Sequence, residues 1–149
     1  MAVSAPTKVV PLISSGTAGP LGAVHLPRLW SKLTLSTAGL LPEGYDECGS
    51  GFDAMTISDL GLNKDEVVSF IRTRKPTYVE FEEWVKTKGK TDADTIKKHN
   101  AAVFGYHHAD DKAAHMREDI GFKAAQIKDA VTLNMLEDLH ELHQTVTRA

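Results

Sequence analysis

Residues 62–105, LNKDEVVSFIRTRKPTYVEFEEWVKTKGKTDADTIKKHNAAVFG, hold three successive helix starts and stops. Asn63 stands three residues before Glu66, the spacing at which a capping side chain and a following carboxylate satisfy each other's backbone N–H groups. The helix they open carries Val67, Phe70 and Ile71, and must end before Pro76, because the residue preceding a proline avoids the helical region. Thr77 and Glu80 repeat the spacing ahead of Phe81, Trp84 and Val85, with Gly89 as the stop. Thr91 and Asp94 repeat it again ahead of a helix that buries Ile96, Val103 and Phe104 and closes at Gly105.

The same reading extends outward in both directions. Toward the C-terminus, Asp110 caps a short helix running through Met116 and Ile120 to Gly121, and a long helix then carries Ile127, Val131, Leu136, Leu139, Leu142 and Val146. Toward the N-terminus, Pro27 starts a helix over 26–39 with Leu29, Leu33 and Leu40 near one face, stopped by Gly39 and Pro42. Between this helix and Asn63, the stretch LLPEGYDECGSGFD, residues 40–53, has three glycines and a proline and reads as a structured loop. Residues 1–21 are rich in Ser, Thr, Ala, Gly and Pro, with Val9, Val10, Leu12 and Ile13 as a short apolar patch. They form an arm that lies on the domain or extends to a partner. No Asn-Gly or Asp-Gly hairpin signal separates alternating runs, and no repeat is present. The expected fold is therefore all-α: a compact single-domain bundle of five to six helices over 22–149, with a glycine-rich loop and an extended N-terminal arm.

Composition narrows the function. A chain of 149 residues with 42% hydrophobic content builds one core. Its 17 basic and 20 acidic residues give a formal charge of −3, which supplies no positive field for a phosphate backbone and argues against nucleic acid as a partner. The single cysteine, Cys48, excludes an internal disulfide and fits a reducing compartment. The N-terminal sequence MAVSAPTKVVPLISSG has neither a signal-peptide core nor a membrane-spanning run, so the expected location is cytoplasmic, with no membrane partner.

VHLPRLWSK, LLPEGYDECGSGFD, DLGLNKDE, EEWVKTKG and IKKHNAAVFG occur in that order from about Gly22 onward. In this order the chain resembles a bacterial family catalogued as domain of unknown function 5069. The most specific pieces are LPR with Lys32 four residues after Arg28, the Tyr45-x-x-Cys48 pair, and HNAAV. The resemblance implies a small, mostly helical, soluble bacterial protein, and it implies no reaction. GYHHADDKAAH is richer in histidine than that pattern, and the last helix is longer.

The candidate site begins at GAVHLPRLWSK, residues 22–32. Cations are unfavourable at the positive end of a helix, yet His25, Arg28 and Lys32 gather there, the last two one turn apart. With the free N–H groups of the helix start, this is an anion-binding arrangement. The anion is either internal, with Asp46, Glu47 or Asp53 folding back onto Arg28, or the carboxylate or phosphate of a substrate. On the neighbouring loop, Asp46 as base and Tyr45 as acid would move a proton. Cys48 is a nucleophile if a neighbour lowers its pKa, and otherwise a small buried filler. Trp30 and Asn100 are candidate cleft-wall and substrate-orienting residues, with packing and satisfaction of a loop carbonyl as their structural alternatives. His107, His108, Asp111 and His115 have the residue types of a metal site, but Asp110 and Asp111 read as a helix start, and Glu137 with His140 gives only one Glu-x-x-His. No metal and no cofactor is expected.

Together these residues describe a pocket between the first helix and the 40–53 loop that binds a small anionic metabolite, as a cofactor-independent lyase, isomerase or hydrolase. The alternative is a non-catalytic binding module, or one that self-associates into a homo-oligomer through the arm.

Overall fold

The computed structural model describes residues 7–148, and within them the chain is all-helical. Seven helices occur: α1 (Leu26–Thr37), α2 (Phe52–Asp59), α3 (Lys64–Arg74), α4 (Tyr78–Lys88), α5 (Ala93–Phe104), α6 (Asp110–Ile120) and α7 (Ala130–Thr147). Two isolated bridges, Ala18 with Val24 and His107 with Asp129, are the extended pairings among the described residues.

Helix α1 is the centre. Pro27 presets its first turn, and Leu26, Leu29 and Leu33 are wholly buried, each worth about 1.5–3 kcal/mol of transfer from water. α3 and α4 pack against it through Val67, Ile71, Phe81 and Val85, with Phe70 stacked on Trp84 at 4.5 Å between ring centres. A second cluster, Val24, Phe52, Val103 and Ala130, joins the start of α1 to α2, α5 and α7. A third, Ala113, Met116 and Leu133, seats α6 on α7. Among the described residues no helix is long and apolar enough to cross a membrane.

Several elements differ from the sequence reading. Among the described residues the count is seven helices rather than five to six because α2 begins at Phe52, inside the stretch read as loop; Gly51 precedes it and offers no capping side chain. α1 ends at Thr37, so Leu40 lies beyond it, with its N–H bonded to Leu35 O after Gly39 turns at φ 72°. Asp92, not Thr91, caps α5, accepting from Thr95 N. Ala109 precedes α6, which places Asp110 and Asp111 in its first turn. Asp129 caps α7, leaving Ile127 outside it. Phe104 is 53% exposed rather than buried, and on α7 Leu139 and Val146 face solvent.

The N-terminal arm lies on the domain from residue 7 onward; the apolar patch is described, and residues 1–6 fall outside the described segment. Val9 N donates to Leu40 O, and Val10 is buried. At Gly19 the arm passes so close to α4 that a Cβ there would sit 2.6 Å from both the Glu82 carboxylate and the Tyr78 ring. That contact lets Glu82 accept from Leu21 N and from the Tyr78 hydroxyl.

Candidate functional site

The arm returns to α1 through a set of bonds that fixes residues 22–25. Asn100 on α5 accepts from Val24 N and donates to Gly22 O, His99 Nε2 donates to Val24 O, and His25 N donates to Thr17 O. Held from both sides, His25 takes the left-handed conformation, φ 69° and ψ −23°, at the residue before α1. A non-glycine residue there carries backbone strain, and such positions persist where surrounding contacts over-determine them.

That conformation sends the imidazole into a buried chain of hydrogen bonds. Ser15 Oγ lies 3.0 Å from Nδ1, and Asp53 Oδ1 lies 2.6 Å from Nε2. All three residues are at most 3% exposed. Burial pushes the His25 pKa below its usual value despite the opposing Asp53 charge, so the ring is neutral at pH 7. A carboxylate only accepts, so Nε2 carries the proton toward Asp53 and Nδ1 is left as the acceptor for the Ser15 hydroxyl. Phe52 tilts against the ring at 5.5 Å.

Asp53 sits in the first turn of α2, the favourable end of the helix for a carboxylate. It also accepts from Lys32 Nζ and, at 2.8 Å, from Gly49 N. Burial pushes its pKa up, but the bond from His25 and the Lys32 charge outweigh this and hold it down to about 2.

Arg28 belongs to a second network. Its Nη1 donates to Pro11 O, Ile13 O and Asp138 Oδ2 at 2.8, 2.9 and 2.7 Å, and Nη2 donates to Asp138 Oδ1 at 3.1 Å. Tyr45 donates to the same Asp138 Oδ1 at 2.9 Å. Burial, then the Asp138 charge, raises the Tyr45 pKa, so the phenol stays protonated. The side chains gathered at the start of α1 thus meet internal carboxylates: Asp53 pairs with Lys32 and accepts from the neutral His25 ring, and Asp138 pairs with Arg28.

A cleft of about 900 Å³ opens over both networks, walled by the start of α1, the 43–55 segment, α6 and α7. Of the residues expected from sequence it brings together His25, Arg28, Lys32, Tyr45 and Asp46, the last exposed. The other three are placed elsewhere. Trp30 packs on the main core, donating from Nε1 to Pro76 O at 3.1 Å and meeting Tyr78 edge-on. Asn100 holds the backbone of residues 22–24. Cys48 is buried in the main core, where burial and then the Asp53 charge push its thiol pKa up, away from the reactive thiolate.

Of the histidines, His107 pairs through its backbone with Asp129, and His108 Nε2 donates to Asn134 Oδ1 at 3.1 Å. Among the described residues no group of three or more His, Cys, Asp or Glu is placed to hold a metal ion.

Two members of the site escaped the sequence reading. Ser15 lies in the arm, where the only signal was the polar ISSG run after the apolar patch. Asp138 lies 110 residues from Arg28, in a helix read by its leucines; a carboxylate between Leu136 and Leu139 was the available signal.

No family model and no curated protein matches this chain, so the resemblance to domain of unknown function 5069 rests on the quoted motifs alone.

Proposed function

We propose that the cleft binds a small polar molecule and transfers its acyl group to water, with Ser15 as nucleophile, His25 as general base and Asp53 orienting the imidazole. The observation that carries this reading is the buried Ser15, His25, Asp53 chain at the floor of the cleft, with its central ring neutral. Serine attacks poorly unless an adjacent base takes its proton as the bond forms, and a third group must hold that base in the right tautomer.

The step balances within the chain. Ser15 Oγ bonds to the acyl carbon while Nδ1 takes the hydroxyl proton. The tetrahedral species then expels the leaving group, which receives that proton from Nδ1. Water repeats the sequence on the acyl-enzyme, releasing the acid and restoring Ser15. This is a cofactor-independent hydrolase, one of the classes expected from sequence, but its acid–base work rests on His25 instead of Asp46 and Tyr45. Those two stand at the rim and wall of the cleft and shape what enters.

One observation favours the second reading, a non-catalytic module: Arg28 and Lys32 are both engaged by internal carboxylates, so the networks also serve to tie arm, α1, α2 and α7 together. Turnover separates the two. With p-nitrophenyl esters of acetate, 4-aminobutyrate and glutarate, the unmodified chain should release nitrophenol from at least one. Ser15→Ala should lose at least about a hundredfold of that rate. It should melt within a few degrees of the unmodified chain. A fluorophosphonate should label Ser15, read by peptide mass. No turnover and no labelling, or equal turnover in Ser15→Ala, establishes the module instead.

A further inference from the structure

Behind the chain of Ser15, His25 and Asp53 stands a second histidine–aspartate pair. His99 on α5 is 1% exposed, with Nδ1 2.8 Å from Asp59 Oδ2 and Nε2 2.9 Å from Val24 O. Its partners differ in kind from those of His25. A hydroxyl faces one nitrogen of His25 and can donate to it, so one ring proton suffices there. At His99 a carboxylate and a backbone carbonyl face the two nitrogens, and both only accept. A ring with one proton would set two acceptors against each other in a buried place, where an unmade hydrogen bond is costly. The geometry therefore requires a proton on each nitrogen. The one toward Asp59 resides on the ring, because an imidazole is ordinarily a stronger base than a carboxylate.

The position of Asp59 asks for the same charge. It is the last residue of α2, at the negative end of the helix dipole, and α2 has no basic residue in its last turn. A cation on α5 supplies what the helix lacks. Asp59 is the charge paired with His99, and His25, one residue past Val24, is the titratable neighbour at the start of α1. On α5 itself Thr95, Ile96 and Val103 share its face, and α7 meets that face through the apolar Ala130.

The Val24 carbonyl belongs to the peptide that enters His25, and His99 and Thr17 hold its two ends. Of the two bonds made by the His99 ring, the one between opposite charges is the stronger, so loss of a ring proton releases Val24 O. On the reading of Ser15, His25 and Asp53 as the site, we propose that Asp59 and doubly protonated His99 form a pH-sensitive clamp, which holds the Val24 carbonyl and with it the left-handed His25, and whose deprotonation loosens the imidazole that serves Ser15.

The test reads the rings, apart from turnover. In the full chain with 15N-labelled histidines, long-range 1H–15N correlations report the protons on each ring. At about pH 6, below the ordinary histidine value, His99 should carry a proton on both nitrogens. As pH rises from there to about 9, above the range in which His25 takes up its own proton, the His25 ring signals should move with the midpoint at which His99 loses one. Asp59→Asn should lower that midpoint, because it removes the charge that favours the imidazolium. His99→Gln keeps a donor for Val24 O and does not titrate, so the His25 signals should stay fixed over the same range. A His99 ring with one proton at the start, a ring that keeps both protons throughout, His25 signals that do not follow the His99 midpoint, or a response that survives His99→Gln overturns the proposal. The first three are read on the unmodified chain and decide it even if a variant does not fold. Coupled rings without ester turnover remove the hydrolase reading and leave the clamp; turnover with uncoupled rings does the reverse.

Discussion

Arg28 shows how a residue expected to meet a ligand is claimed by the fold. Its guanidinium reaches two arm carbonyls and a bidentate carboxylate on α7, so three segments depend on one side chain. Truncating one member of a buried pair leaves the other charge without a partner, which typically costs about 3–5 kcal/mol. Arg28→Ala should therefore lower stability by about that much in urea unfolding. Replacing both members at once, Arg28→Met with Asp138→Leu, should cost less than Arg28→Ala alone, because no orphan charge remains. A single substitution milder than the double one would mean that Asp138 finds water or another donor. The cluster of cations at the start of α1 was legible in the sequence; the identity of its counter-charges was not, because Asp138 reaches Arg28 only through tertiary packing.

At the scale of elements, the reading of caps succeeded where a short side chain meets its partner three residues on. Asn63 and Thr77 accept from the N–H groups of Glu66 and Glu80, and Thr77 with Glu80 closes a full capping box. At α5 two polar residues competed, and Asp92 won over Thr91 because it reaches both the backbone and the hydroxyl of Thr95. Asp92→Ala should lower the melting temperature by a few degrees, whereas Thr91→Ala should leave it nearly unchanged. Equal effects would move the cap back to Thr91. α7 was misread for a different reason. Its leucines suggested a core stripe, but the face turned inward holds Ala130, Leu133 and Asp138, with Asn134, Glu137 and Glu141 on the cleft lining. Periodicity identifies the helix and its two faces; it assigns the apolar one to the core by default. Here the polar face is needed beside Arg28 and the cleft, and Leu139, at 47% exposed, turns outward.

At the scale of the whole molecule, Ser15, His25 and Asp53 connect the arm, the start of α1 and α2, so protonation of this buried chain acts on global stability. Asp53, Lys32 and Arg28 are the charges acting on His25. Its pKa is lowered in the folded state, so the unfolded chain binds the proton first as pH falls below the ordinary histidine value of about 6.5. Stability contributed by the neutral ring is complete above that value and is lost as pH falls toward the folded pKa. Asp53 acts lower in the range. Its pKa is depressed from 3.8 to about 2, so its contribution is present above 3.8 and disappears between those limits. That contribution is about 2 kcal/mol. The two effects predict acid destabilisation in two stages, the first already under way at pH 5.5. The chain has six other histidines, so the informative quantity is a difference. Asparagine tolerates the left-handed backbone that position 25 requires and does not titrate, so His25→Asn removes the ring's ionisation without adding backbone strain. The stability of the unmodified chain relative to His25→Asn, measured by urea unfolding, should shrink steadily as pH falls from 7 to 5. A difference that stays constant across that range would mean that His25 binds its proton equally in both states and is not held neutral by the fold.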